Sequence, residues 1–254
     1  MNPARVAPSL SGIGFIALAT LAASLSLTGC KPAPSHAETP ANVPTPTTST
    51  PAPSAPTPPP ATTQSPSPSA QDRPLILCFG DSLTAGFGTD IGQSYPDDLQ
   101  RQLDADGYHY HVVNAGISGN TTKDGLDRIH LVLARHPQLV VVEFGGNDGL
   151  RGLPLEQTQA NLSGIIDQLQ KAGAKVVLAG ITLPPDYGPD YIKKFDAMYP
   201  ALAKQYRIRL LPFILKDVYG IPGDMQADDT HATAQGNKQV ALNVEDLLKP
   251  LLKR

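Results

Sequence analysis

The feature that most constrains the fold of this chain is an alternation. Five short apolar runs, "LILCF" (75–79), "YHVVNAG" (110–116), "LVVVEFG" (139–145), "KVVLAGI" (175–181) and "IRLLPF" (208–213), recur between residues 75 and 213. Between and after them lie "YPDDLQRQLDAD" (95–106), "TTKDGLDRIHLVLARH" (121–136), "LEQTQANLSGIIDQLQKAG" (155–173), "DYIKKFDAMYPALAKQY" (190–206) and "AQGNKQVALNVEDLLKPLLK" (234–253), whose apolar residues return every three to four positions. That period is helical, whereas a β-branched run without a polar face reads as a strand covered on both sides. Strands of this kind alternating with helices predict a parallel sheet between helical layers, a three-layer α/β/α class. In such sheets ligands bind beyond the carboxyl ends of the strands. The segments that follow the runs are therefore where chemistry is to be sought.

After the first run comes "GDSLTAGFG" (80–88). A Ser between a strand and a helix is commonly a cap for free backbone N–H groups, and it is equally placed to be a nucleophile. What decides is the company. A weakly acidic hydroxyl needs a base within hydrogen-bond reach, the base needs an orienting carboxylate, and the developing oxyanion needs fixed donors. Near the C-terminus "ADDTHAT" (227–233) offers His231, with Asp228 three residues earlier and Asp229 two earlier. A carboxylate three positions before an imidazole can fold back onto one ring nitrogen and leave the other for the Ser82 proton. Asp228 is thus the orienting candidate, although spacing alone leaves Asp229 open.

Other polar residues have plainer readings. Asp81 sits beside a turn, where a carboxylate usually accepts backbone N–H bonds. Thr121 and Asp124 are spaced as a capping box, which makes "SGNTT" (118–122) a helix start and leaves Asn120 without an assigned role. His109 and His111 alternate on an expected edge strand, while His130 and His136 lie on a helix whose end favours positive charge. Cys30 and Cys78 are the only cysteines, so no Cys-based metal site is available. No G-x-S-x-G elbow, P-loop or HExxH motif occurs, and nothing calls for a metal or an organic cofactor.

The first thirty residues read as an export signal, with Arg5 as its positive region and an apolar stretch from Ile13 to Leu27 that ends in "LTGC" (27–30). Residues 30–71 are dominated by Pro, Ala, Ser and Thr and cannot bury enough apolar surface to offset chain entropy. At roughly 3.1 Å per residue, a polyproline-like tract of this length would reach on the order of 130 Å, which makes it a tether. One domain, residues 72–254, remains. Outside it the only charged residues are Arg5, Lys31 and Glu38, so its 18 basic and 22 acidic residues carry a net charge of −4. Nucleic acid is excluded as a natural partner on that balance, and no protein partner is implied.

Two resemblances extend this reading. "LTGC" resembles a bacterial lipobox, which implies cleavage after Gly29 and acylation of Cys30. An exported lipoprotein, periplasmic or at the cell surface, would follow. Lys31 after Cys30 points to the outer membrane in a Gram-negative host. Further on, "FGDSLTAGFG", "NAGISGNTT", "GGND" and "DDTH" resemble the successive blocks of the GDSL, or SGNH, hydrolases, and "GGNDGLRGLP" with "LPPDYG" is most similar to their thioesterase I, lysophospholipase L1 and arylesterase branch. That resemblance implies a flavodoxin-like five-stranded sheet of order 2-1-3-4-5. It makes Ser82, Asp228 and His231 the catalytic set. Ser82, Gly116 and Asn147 become the oxyanion hole, and Leu150 with Leu153 lining for an acyl groove. The implied activity is hydrolysis of carboxylic esters and thioesters, with small esters or lysophospholipids as substrates and no cofactor. A carbohydrate O-deacetylase and a catalytically silent surface-tethered binding module are the alternatives. Two departures stand out: Asp229 replaces a usual glycine and Ala232 a usual proline.

Overall fold

The structure is a computed structural model that describes residues 73–254. The export signal, Cys30, the Pro-rich tract and Asp72 lie outside the described residues. Five parallel strands form one sheet: β1 (Leu75–Gly80), β2 (His111–Asn114), β3 (Leu139–Glu143), β4 (Lys175–Ala179) and β5 (Arg209–Leu211), in the order β2-β1-β3-β4-β5. Class and order are those expected. β1 lies inside the sheet, paired with β2 through Cys78 opposite Asn114 and with β3 through Gly80 opposite Glu143.

The period of two in a strand sends alternate residues to opposite faces, and here both faces are covered. Ile76, Cys78, Val141 and Val177 pack on one side with Tyr95, Leu99 and Val244. Those last three belong to the helices α2 (Tyr95–Ala105) and α8 (Ala234–Leu248). Leu77, Phe79, Val140 and Val142 pack on the other side with Leu162, Ile166 and Leu202, from the helices α6 (Leu155–Lys171) and α7 (Pro189–Tyr206). β2 to β5 each end two residues before their apolar runs do, and two of the residues beyond them, Ile181 and Phe213, line the site.

Three local departures from expectation matter. The segment 121–136 is not one helix. It breaks into α3 (Thr122–Asp127) and α4 (Ile129–Leu133), with Arg128 between them at φ −100°, ψ 8°. The side chain of Arg128 turns inward to three acceptors and so pulls its residue out of the helical register. "GGNDG" is also not a plain loop but carries a short helix, α5 (Gly146–Leu150), held by Asp148. The buried Asp148 carboxylate accepts from Thr122 N–H at 2.8 Å, Thr122 Oγ1 at 2.5 Å and Thr158 Oγ1 at 3.2 Å. Finally, α8 stops at Leu248 and Pro250 forces a 3-10 turn, Lys249–Leu251.

Leu162 is fully buried under the sheet on the face away from α8. Leu162→Ala is expected to cost about 2–5 kcal/mol in a denaturant titration, the usual range for an aliphatic truncation in a packed core. Its hydrolytic rate per folded molecule should match that of the parent protein.

Candidate active site

β1 ends at Gly80 and the chain turns at once into the four-residue helix α1 (Ser82–Ala85). A Cβ on Gly80 would collide with Thr84 Oγ1, with Glu143 Oε2 at 2.5 Å and with the Glu143 carbonyl at 2.6 Å, so only glycine admits this turn. The helix is capped by Asp81, whose Oδ1 accepts from Leu83 N–H at 3.1 Å. Ser82 is therefore not the cap, which removes the bland reading of its hydroxyl. Its Oγ lies 2.8 Å from Nε2 of His231.

His231 arrives from the long segment between β5 and α8. Its Nδ1 lies 2.6 Å from Asp228 Oδ2, while Asp228 Oδ1 accepts the N–H groups of Thr230 and His231, each at 3.0 Å. Both carboxylate oxygens are thereby oriented by their own turn, and the choice between Asp228 and Asp229 falls to Asp228. Burial works to raise the Asp228 pKa. The hydrogen bonds from the His231 ring and from the His231 and Thr230 N–H groups together outweigh it and hold the carboxyl down at about 2. Asp229 takes the left-handed backbone, φ 51°. That conformation is the one glycine adopts freely, which explains why a glycine is usual there. Phe87 leans on the His231 ring at a centroid distance of 4.7 Å.

The nucleophile faces a cavity of about 260 Å³ walled by Leu83, Leu150, Ile181, Leu183, Phe213 and Leu215, with Asn147 at its polar end. Leu150 is on the wall as expected. Leu153 is not; after Gly152, at φ 63°, the chain turns away toward α6 and leaves Leu153 at the surface.

The donors for an oxyanion also need one correction. Ser82 N–H has no partner among the described residues and points from the start of α1. Asn147 Nδ2 donates to Asp81 Oδ2 at 3.1 Å and to the Asn120 carbonyl at 3.0 Å, so an arriving oxyanion would share one of these protons. Gly116 does not offer its amide. That N–H donates to Asn114 Oδ1 at 2.9 Å, and the residue is packed against the backbone of Thr84 and Ala85. Three residues on, Gly119 N–H is without a partner among the described residues. Its φ is 81°, and it adjoins the Asn120 carbonyl that touches Asn147. Gly119 is the residue that sequence reasoning missed. The signal was "SGN" itself, a glycine in a turn, which competes there with another glycine in the same loop.

Beneath the turn lies a buried acid pair. Burial, offset in part by the Leu83 N–H, the Asn147 amide, the Glu143 carboxyl and the His231 charge, pushes Asp81 up to about 6. Burial and the neighbouring Asp81 push Glu143 well above the carboxylate range. Glu143 Oε2 accepts from Thr84 Oγ1 at 2.8 Å and from Asp81 N–H at 3.3 Å, and Oε1 has no partner among the described residues. Two adjacent buried carboxyls cannot both ionise at low cost, so one proton stays between them.

Comparison with known proteins agrees with this fold. Residues 78–239 match the profile of the GDSL-like lipase/acylhydrolase family. The chain is 47% identical over 178 residues to esterase TesA of Pseudomonas aeruginosa, covering 70% of this chain and 89% of that protein. It is 40% identical over 185 residues to thioesterase 1/protease 1/lysophospholipase L1 of Escherichia coli K12, covering 72% and 86%. The crystal structure of the psychrotrophic esterase EstA from Pseudoalteromonas sp., inhibited by monoethylphosphonate, superposes with a TM-score of 0.67 at 32% identity, over 70% of this chain and 97% of that one.

The acid pair makes a testable demand on stability. A carboxyl whose folded pKa is raised stabilises fully below its unfolded value and loses that contribution as pH rises toward the folded value. Glu143→Gln keeps an acceptor for Thr84 and abolishes the titration. The melting temperature of this variant relative to the parent should therefore rise between pH 5 and pH 8. An unchanged difference across that window would mean that Glu143 is not protonated in the fold.

Proposed function

This chain belongs to the GDSL-like lipase/acylhydrolase family, and on that premise we propose that it is a serine esterase working through an acyl-enzyme on Ser82. The observation that carries the reading is the unbroken relay from Asp228 Oδ2 through His231 to Ser82 Oγ, at 2.6 and 2.8 Å, opening on an apolar cavity.

The chemistry follows from that geometry. Ser82 Oγ attacks the ester carbonyl while His231 Nε2 takes its proton, and Asp228 steadies the imidazolium. Negative charge gathers on the former carbonyl oxygen, opposite the Ser82 and Gly119 N–H groups and the Asn147 amide. Donors fixed in advance at that point stabilise a charge that exists only in the transition state. Collapse expels the alcohol, which receives the proton from His231. Water then attacks the acyl-serine by the same route in reverse, releasing the acid and returning the proton to Ser82.

The cavity wall speaks to the substrate. Leu83, Ile181, Leu183, Phe213 and Leu215 offer hydrocarbon contact beside the polar Thr182, Tyr219, Asp229 and Thr230, and that apolar share of the wall suits an acyl chain better than an acetylated sugar. An arylesterase, lysophospholipase or thioesterase range is therefore the favoured activity. Cys30 is assigned as the lipid-carrying residue of an exported lipoprotein, periplasmic or on the cell surface, with the outer membrane favoured. In that setting there is no acyl-CoA pool, so lipid esters and small exogenous esters are the natural substrates, even if thioesters react in a tube.

Hydrolysis of p-nitrophenyl octanoate tests the mechanism. Ser82→Ala should lose activity by roughly 10⁴-fold or more and also lose labelling by a fluorophosphonate. Asn147→Ala should lower kcat by about 10² to 10³-fold, the usual effect of removing one oxyanion donor. Full activity in Ser82→Ala would end the reading. Activity confined to acetyl esters would favour the deacetylase instead. Radiolabelled palmitate should be incorporated by the full chain and not by Cys30→Ser.

A further inference from the structure

Arg128 and Arg151 both reach the loop that carries Gly119 with no carboxylate within ion-pair distance among the described residues; Arg151 Nη2 donates to the Gly119 carbonyl at 2.8 Å, whereas Arg128 spans more of the site. The Arg128 guanidinium is half-buried, lies 4.4 Å from the centroid of the Phe79 ring and is spent entirely on neutral acceptors. Nη2 donates to the Gly80 carbonyl at 2.9 Å, Nη1 to the Ala115 carbonyl at 3.0 Å and Nε to Asn120 Oδ1 at 2.7 Å.

These acceptors belong to two parts of the site. Gly80 is the last residue before the nucleophile turn, and its carbonyl also receives Ile117 N–H at 3.1 Å. Ala115 and Asn120 bracket the loop that carries Gly119. The Asn120 carbonyl in turn receives Asn147 Nδ2 at 3.0 Å. One planar fork therefore fixes the nucleophile turn against the Gly119 loop, and that loop against Asn147. A guanidinium holds three divergent acceptors in a fixed plane, which an ammonium, a point charge on a flexible stem, cannot do. The break between α3 and α4 is the local cost of aiming this side chain inward.

We propose that Arg128 is a positioning residue for the oxyanion hole: it sets the spacing of the Ser82, Gly119 and Asn147 donors through Gly80, Ala115 and Asn120. The proposal rests on the serine esterase reading above. Placing donors matters at this scale because a displacement of about 1 Å at a reacting centre can cost on the order of 10²-fold in rate. Positioning acts on the transition state, whereas the cavity that binds the acyl chain is formed by other residues, so kcat and not KM should respond.

The test uses the full chain with p-nitrophenyl octanoate and a thermal melt of every variant. Arg128→Lys keeps the charge and the apolar stem but not the fork. It should lower kcat by about 10 to 100-fold, change KM by less than about threefold, and weaken inhibition by an octyl boronate in proportion to kcat, as expected for a tetrahedral mimic of the transition state. Asn120→Ala, which removes one acceptor of the fork, should lower kcat by about 5 to 20-fold, and Asn120→Asp, which restores it, should recover most of that loss. A folded Arg128→Lys with kcat within about twofold of the parent overturns the proposal, as does a loss that appears in KM alone or leaves boronate affinity unchanged. Should Arg128→Lys fail to fold, the Asn120 pair decides: equal activity in Asn120→Ala and the parent overturns it. Ser82→Ala, assayed alongside, separates the two levels, since hydrolysis surviving in that variant would sink the esterase reading itself.

Discussion

The site depends on how β1 ends. The strand is buried on both faces and flanked by β2 and β3, so its carboxyl end is held from both sides. Gly80 then allows the backbone to pass where the Glu143 side chain and Thr84 leave no room for a Cβ. Asp81 caps the short helix that follows, which frees the Ser82 hydroxyl for His231 and leaves the Ser82 N–H without a partner. A serine that capped its own helix would have spent the oxygen that the chemistry needs.

Electrostatics at the site is divided by depth. At the surface, Asp228 is held ionised by three hydrogen-bonding groups of its own turn and ring partner, ready to meet a charge that forms on His231. Beneath the turn, the Asp81 and Glu143 carboxyls are forced to retain a proton. Sharing one proton, that deep pair carries one negative charge under the donors where two ionised carboxylates would carry two. Arg128 meets this region through neutral acceptors alone, the Gly80 and Ala115 carbonyls and Asn120 Oδ1.

Much of the site is legible in one dimension because it is built from local turns. Asp228 reaches His231 across three residues, and the Asx-type turn that aligns them is written in "DDTH". Strand order, which local pattern does not specify, came through family resemblance. Other parts were not legible. Gly116 and Gly119 lie in one loop, and which of them offers an N–H depends on whether a neighbouring side chain has already taken it; Asn114 has taken that of Gly116. Leu150 and Leu153 have the same chemistry and similar exposure, yet the turn at Gly152 puts only the first on the cavity wall. Nothing in the helical period of 121–136 marks Arg128 as the residue on which two backbone carbonyls and the Asn120 side chain converge.

By itself the sequence determined a parallel α/β/α sandwich, through runs without a polar face alternating with amphipathic segments, and a nucleophile, base and carboxylate on its carboxyl edge. Only the tertiary structure decided which amides are free, which leucine meets the substrate and what holds the loops in place. The reason is physical: periodicity and short turns are properties of neighbours along the chain. The availability of a hydrogen-bond donor is set by whatever acceptor the fold brings within 3 Å of it, and that acceptor can come from any distance in sequence.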